Sequence, residues 1–134
     1  MKVTETKLKG CFIIEPAVFE DDRGFFYESF NTKKLNDALG KNINFVQDNQ
    51  SYSYRGVIRA IHYQTGEFAQ AKLVRVLSGR VLDVAVDLRK NSPTFGQYVT
   101  QELSAENKIQ LFAFCHWFES RINSFRKFNN IAMA

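Results

Sequence analysis

Metal-binding side chains are scarce in this sequence. Its 134 residues hold two cysteines, Cys11 and Cys115, and two histidines, His62 and His116. The cysteines lie far apart in no CxxC pattern, and so few ligating groups give little material for a zinc or iron–sulfur cluster. Free thiols and no metal are therefore expected; no cofactor is expected either. Long apolar runs are also missing. No stretch approaches the length of a membrane helix, and the start "MKVTETKLKG" lacks the apolar heart of a signal peptide. A cytoplasmic protein is the expectation. Neither a Gly/Pro/Ser linker nor an internal repeat marks a boundary, so residues 1–134 read as a single domain, long enough to bury a core without disulfides. The excess of four positive charges suits a phosphate-bearing ligand. It is spread too thinly for a basic block, and no nucleic acid is expected as a partner.

Aromatic and β-branched residues are abundant instead. Thirteen phenylalanines favour an aromatic β core. Strand-like runs follow one another as "CFIIEPAVF", "GFFYESF", "INFVQDNQSYS", "GVIRAIHYQ", "AKLVRVL", "RVLDVAVDL" and "GQYVTQEL", each bounded by turn residues. The pattern predicts an all-β fold, an antiparallel sandwich or barrel. One interruption, "NTKKLNDALG", reads as a short helix with Asn31 or Thr32 as N-cap and Gly40 just past its end. Ser78 and Gly79 are expected to form the two-residue loop of a hairpin, pairing Val76 with Val81, Val74 with Asp83 and Lys72 with Ala85. One face then carries Lys72, Val74, Val76, Val81, Asp83, Ala85 and Asp87, with Lys72 and Asp83 as diagonal neighbours. By itself such a pair is as readily a buried ion pair as a catalytic one.

The segment "GVIRAIHYQ" places an arginine and a histidine three residues apart in an apolar strand. A histidine in such a setting is more often a hydrogen-bonded core residue than a catalyst. Residues i and i+3 of a regular strand point to opposite faces. Arg59 and His62 can serve one cavity only if the strand is bulged, bent or ends there.

Together with "EDDRGFFYESF", "FVQDNQS", "QAKLVRVLSGRVLDVAVDLRKNSPTFGQYV" and "ELSAENKIQLF", this segment resembles, in order and spacing, the dTDP-4-dehydrorhamnose 3,5-epimerases of nucleotide-sugar biosynthesis, over about residues 1–112. The resemblance implies a metal-free cupin-type jelly roll, homodimeric through N-terminal β strands. It also implies an isomerase that inverts C3 and C5 of dTDP-4-dehydro-6-deoxy-D-glucose. Both carbons flank the C4 ketone, so the chemistry needs a base near neutral pKa and a cation for the enolate. By resemblance His62 is the base, Lys72 the enolate-stabilising cation, and Asp83 the group that keeps Lys72 charged and aimed. Arg59 and Arg23 match the diphosphate clamp. Phe26, Glu28, Gln47 and Asn49 match positions lining the nucleotide and sugar pocket, with Arg23, Phe26 and Glu28 reaching across the dimer.

Two departures from the family's pattern stand out. Ala60 occupies a position that is usually glycine, the residue that permits unusual backbone angles. Past "IQLF" the family continues to a Phe-Ala-His-Gly-Phe motif and a long C-terminal region, where this chain reads "AFCHWFESRINSFRKFNNIAMA". Residues 113–134 are thus a divergent tail, and the jelly roll is expected to be incomplete at that end. His116 is either the second family histidine after a short deletion, and then substrate-binding, or a chance histidine. The family's tyrosine acid and base-orienting aspartate have no counterpart after it, so impaired epimerisation is expected. The alternative is a non-catalytic nucleotide-sugar-binding jelly roll. A metal-dependent cupin is disfavoured, because such proteins present closely spaced histidines and "HYQ" offers one.

Overall fold

The computed structural model describes the backbone of residues 1–64, 66–114, 118–124 and 128–133, and the side chains up to residue 114 apart from positions 60, 61 and 65. The described residues form an antiparallel β fold with one α-helix. In chain order the strands are β1 (Lys2–Glu5), β2 (Cys11–Glu15), β3 (Val18–Asp21) and β4 (Gly24–Tyr27), followed by the helix α1 (Thr32–Leu39). Then come β5 (Asp48–Ser53), β6 (Ile58–His62), β7 (Ala71–Val76), β8 (Arg80–Asp87), β9 (Tyr98–Ser104), β10 (Gln110–Phe114), β11 (Phe118–Ser124) and β12 (Phe128–Met133). The helix is bounded as its sequence predicts. Asn31 caps it by accepting the Lys34 amide at 3.0 Å, and Gly40 ends it at a φ of 62°.

Six strands form one sheet in the order β1-β2-β10-β7-β12-β5, and four form another in the order β6-β11-β8-β9. Alternation along the strands decides which residues lie between the sheets. Cys11, Val74, Val76, Leu111 and Ala113 from the larger sheet meet Val81, Ala85 and Leu103 from the smaller one, and Leu8 joins the same cluster. The outer face of the larger sheet presents Ile14, Leu73 and Phe112, and α1 covers them with Leu35 and Leu39. These two leucines are four apart and so share one side of the helix. Fully burying each side chain of this kind contributes roughly 1.5–3 kcal/mol.

The hairpin expected at Ser78–Gly79 does not form. β7 is hydrogen-bonded to β10 and β12, whereas β8 is hydrogen-bonded to β9 and β11, so the two strands belong to different sheets. Gly79, at a φ of 73°, lets the chain cross from one sheet to the other. Both strands are interior strands with one apolar face, and each buries that face against its sequence neighbour instead of pairing edge to edge. Alternation survives the correction. Lys72, Val74 and Val76 still face Val81, Asp83 and Ala85, now across the sandwich. The segment read as a divergent tail contributes β11, between β6 and β8, and β12, between β7 and β5.

Asp83 and Asp87 are both 0 % exposed, on the same face of β8. The Asp87 carboxylate takes hydrogen bonds from Arg89 Nε at 2.8 Å, from the Arg89 amide at 2.9 Å, and from Ser92 Oγ and Thr94 Oγ1 at 2.6 Å each. Burial would push its pKa up, but these donors outweigh it and hold the carboxyl well below the usual carboxylate range. The network ties down the β8–β9 connection. Asp87→Ala is expected to destabilise the fold by about 3–5 kcal/mol, because it removes the buried carboxylate on which Arg89, Ser92 and Thr94 converge. The wild-type contribution is present above the ordinary carboxyl pKa and is lost as pH falls below about 4. Urea denaturation of both forms at neutral and acid pH checks this, and the gap between them must shrink in acid.

Candidate active site

The register of β6 against β11 answers the parity problem of Arg59 and His62. His62 lies opposite Ser120 and Arg59 opposite Ile122, so three steps along β6 match two along β11. The strand carries a bulge between them, and one extra residue restores a common face. Ala60 falls within it. On the far side of β11, Ser120 and Ile122 lie opposite Ala85 and Asp83. Directly paired residues share a face, so Arg59 and His62 are on the inner side of the small sheet with Asp83.

The facing sheet contributes by the same rule. Lys72 lies half-buried on the inner side of β7. Through β12, Val74 is in register with Asn49, and Val76 with Ser51. Asn49, Ser51 and Ser53 therefore line the same interior at the edge strand β5. β6 is the edge of the other sheet, and Arg59 joins the two. Its Nε donates to Ser53 Oγ at 2.8 Å, and a terminal nitrogen donates to the Tyr52 carbonyl at 3.0 Å. His62, Arg59, Lys72, Asp83 and Asn49 thus face one interspace, with His62 and Arg59 solvent-accessible at its mouth.

Asp83 is the electrostatic contrast to Asp87. Its Oδ1 accepts the Val84 amide at 2.9 Å, while Oδ2 is buried with no hydrogen-bond partner among the described residues. Desolvation raises its pKa to about 7, with the Val84 amide and the Lys72 charge offsetting only part of the effect. A carboxyl held so near neutrality beside a lysine is typical of a site where charge has to be moved or matched.

The remaining expected residues lie elsewhere in this chain. Arg23 and Phe26 sit on the β3–β4 hairpin, a two-stranded sheet of its own. Arg23 pairs with Asp21, and Phe26 is 71 % exposed. Glu28 follows the hairpin, where Lys34 and Asn31 bind its carboxylate at 2.6 and 2.8 Å and lower its pKa. Gln47 is exposed just before β5 and donates to Asn49 Oδ1 at 3.0 Å. His116 lies outside the described residues. Ser53 and the Tyr52 carbonyl, which orient Arg59, were missed by sequence reasoning. The alternation in "DNQSYS" does place Ser53 on the face of Asn49, but no pattern tells that β5 approaches β6.

Comparison with known proteins bears on this geometry. The family model described as dTDP-4-dehydrorhamnose 3,5-epimerase matches residues 5–120, a span that runs through "FCHWF". The dTDP-4-dehydrorhamnose 3,5-epimerase of Shigella flexneri is 54% identical over 121 residues, which cover 88% of this chain and 67% of that protein. The crystal structure of dTDP-4-dehydrorhamnose 3,5-epimerase from Elizabethkingia anophelis superposes with a TM-score of 0.91 at 50% identity, covering 99% of this chain and 73% of that one. The Legionella pneumophila dTDP-6-deoxy-D-glucose-3,5-epimerase, in complex with dTDP-4-keto-L-rhamnose, gives 0.90 at 44% identity, covering 98% and 69%. The chain spans about two thirds of the length of the curated relatives it matches.

The burial of Asp83 has a thermodynamic signature. Its native pKa of about 7 lies above the ordinary 3.8, so the folded state keeps a proton that the unfolded state releases in between. Stability from this group is full in acid and is lost as pH rises through 7. Asp83→Asn is expected to match wild type near pH 4 and to gain on it by up to about 4 kcal/mol near pH 8. Denaturation midpoints across that range are the measurement. A stability difference that does not change with pH would contradict the burial assigned to Asp83.

Proposed function

The chain belongs to the dTDP-4-dehydrorhamnose 3,5-epimerase family, and from that premise we propose that it binds dTDP-4-dehydro-6-deoxy-D-glucose and inverts the carbons flanking its ketone. One observation carries the reading. The bulge in β6 puts Arg59 and His62 on the inner face that Asp83 shares, opposite Lys72. His62 removes the proton from C3 or C5, and the charge spreads onto the C4 oxygen. Lys72 meets that developing charge as a cation, and a preorganised cation at this point lowers the barrier most where the charge is greatest. Asp83, ionised above about pH 7, attracts and aims the Lys72 side chain. Arg59 holds the diphosphate with its planar fork already oriented by Ser53 and Tyr52. Gln47 and Asn49 serve the nucleotide and sugar beside it.

The nucleotide end is completed by a second copy. Phe19 and Phe26, paired across the hairpin and so on one face of it, are 66 and 71 % exposed, an apolar surface on a two-stranded ribbon that among the described residues pairs with neither sheet. In a homodimer the ribbon delivers Arg23 and Phe26 to the partner's interspace, with Glu28 at its base. The working unit is then a dimer acting in the cytoplasm, without metal or cofactor.

Two measurements test this reading. Calorimetry with dTDP is expected to show binding that weakens as salt rises, since the contacts are charge-assisted. Incubation with substrate in D2O is expected to introduce deuterium at C3 or C5, and His62→Ala to slow the exchange about 10²–10⁴-fold while leaving dTDP affinity nearly unchanged. Binding without exchange in the wild type would identify a non-catalytic nucleotide-sugar binder, and absence of dTDP binding would overturn the assignment of the site.

A further inference from the structure

Among the described residues the β3–β4 ribbon makes no ladder to either sheet, and a lone two-stranded ribbon is marginal in water, so side chains set its angle to the body. At its base Gln110, itself buried, donates to the Ser29 carbonyl at 2.8 Å. Nearer its tip the Lys108 ammonium stands 4.2 Å from the centre of the Phe25 ring, cation–π distance, while donating to the Glu106 carbonyl at 3.2 Å. Lys108 comes from the β9–β10 turn, and Gln110 is the first residue of β10 just after it. That turn is stiff: Asn107 Oδ1 accepts the Ser104 and Ile109 amides at 3.0 Å each, and Ser104 Oγ accepts the Asn107 amide at 2.9 Å.

Lys108 is also the one described non-glycine residue with a positive φ, 55°. Glycine would take that conformation without steric cost. A lysine there keeps a side chain where the backbone disfavours one, and its ammonium is spent on the ribbon. We propose that Lys108 is a positioning residue that holds the β3–β4 ribbon at the angle from which Arg23 and Phe26 reach the nucleotide. This rests on the role given to those two residues above. Lys108 touches neither substrate nor the reacting atoms. It acts on affinity through Phe25, the neighbour of Phe26.

Lys108→Gly tests the proposal without endangering the fold, because it relieves the backbone as it removes the ammonium. It is expected to be at least as stable as wild type, yet to raise KM and the Kd for dTDP about two- to fivefold, with kcat nearly unchanged. Lys108→Met is expected to weaken binding likewise, and Lys108→Arg to restore it. The independent readout is 15N relaxation of residues 19–27, whose amides are expected to gain motion in the Gly and Met variants and regain order with Arg. Unchanged affinity, or changed affinity with the ribbon as ordered as in wild type, overturns the proposal. Should wild type itself not bind dTDP, the reading of the site falls. Relaxation then decides alone whether Lys108 fixes the ribbon, with unchanged order as the negative result.

Discussion

The face-to-face stacking of β7 on β8 is the constraint from which the site follows. Two strands joined by Ser78–Gly79 turn their apolar faces toward each other across the sandwich, and the charged residues at 72, 83 and 87 are carried inside with them. Close packing of Val74, Val76, Val81 and Ala85 leaves no freedom to withdraw those charges. Each must be satisfied in place or remain costly. Asp87 is satisfied by its own loop, and the connection to β9 is rigid as a result. Among the described residues Asp83 Oδ2 has no donor, and the cost appears as a carboxyl whose pKa is raised to about 7 near Lys72.

That difference separates two buried aspartates on the same face of the same strand. A network in which every acceptor lone pair has a donor stabilises the fold. A carboxylate with one bare oxygen does the opposite at neutral pH, and such strain persists where the surrounding packing enforces it. The inner face of β8 therefore combines an anchor and a poised group four residues apart, with the lysine that answers the second coming from the opposite sheet.

The mouth of the interspace depends on strands that meet the body through little else. β5 is hydrogen-bonded to β12 and β6 to β11, and Arg59 bridges β5 and β6 across the two sheet edges. Strands β11 and β12 thus matter to Arg59, His62 and Asn49 by holding up the strands that carry them. The ribbon stands outside this scaffold and is held by Lys108 of the β9–β10 turn and by Gln110 at the start of β10.

Much of this was legible in the amino-acid order alone. Alternation in "AKLVRVL" and "RVLDVAVDL" determined which residues face inward, Asn31 and Gly40 bounded the helix, and the spacing of "GVIRAIHYQ" with its companion motifs identified the family. Local order also stated the condition for Arg59 and His62 to cooperate, a bulge, though not whether it was met. Tertiary structure decided the rest. A period of two is the same for strands lying side by side and for strands lying face to face, so the crossover at Gly79 was unreadable from pattern. The bulge depends on pairing with β11, far along the chain, and the half-satisfied state of Asp83 on which donors happen to reach it. The grip of Lys108 on Phe25 joins residues whose neighbours in sequence carry no sign of each other, because only packing brings a turn and a ribbon from opposite ends of the chain together.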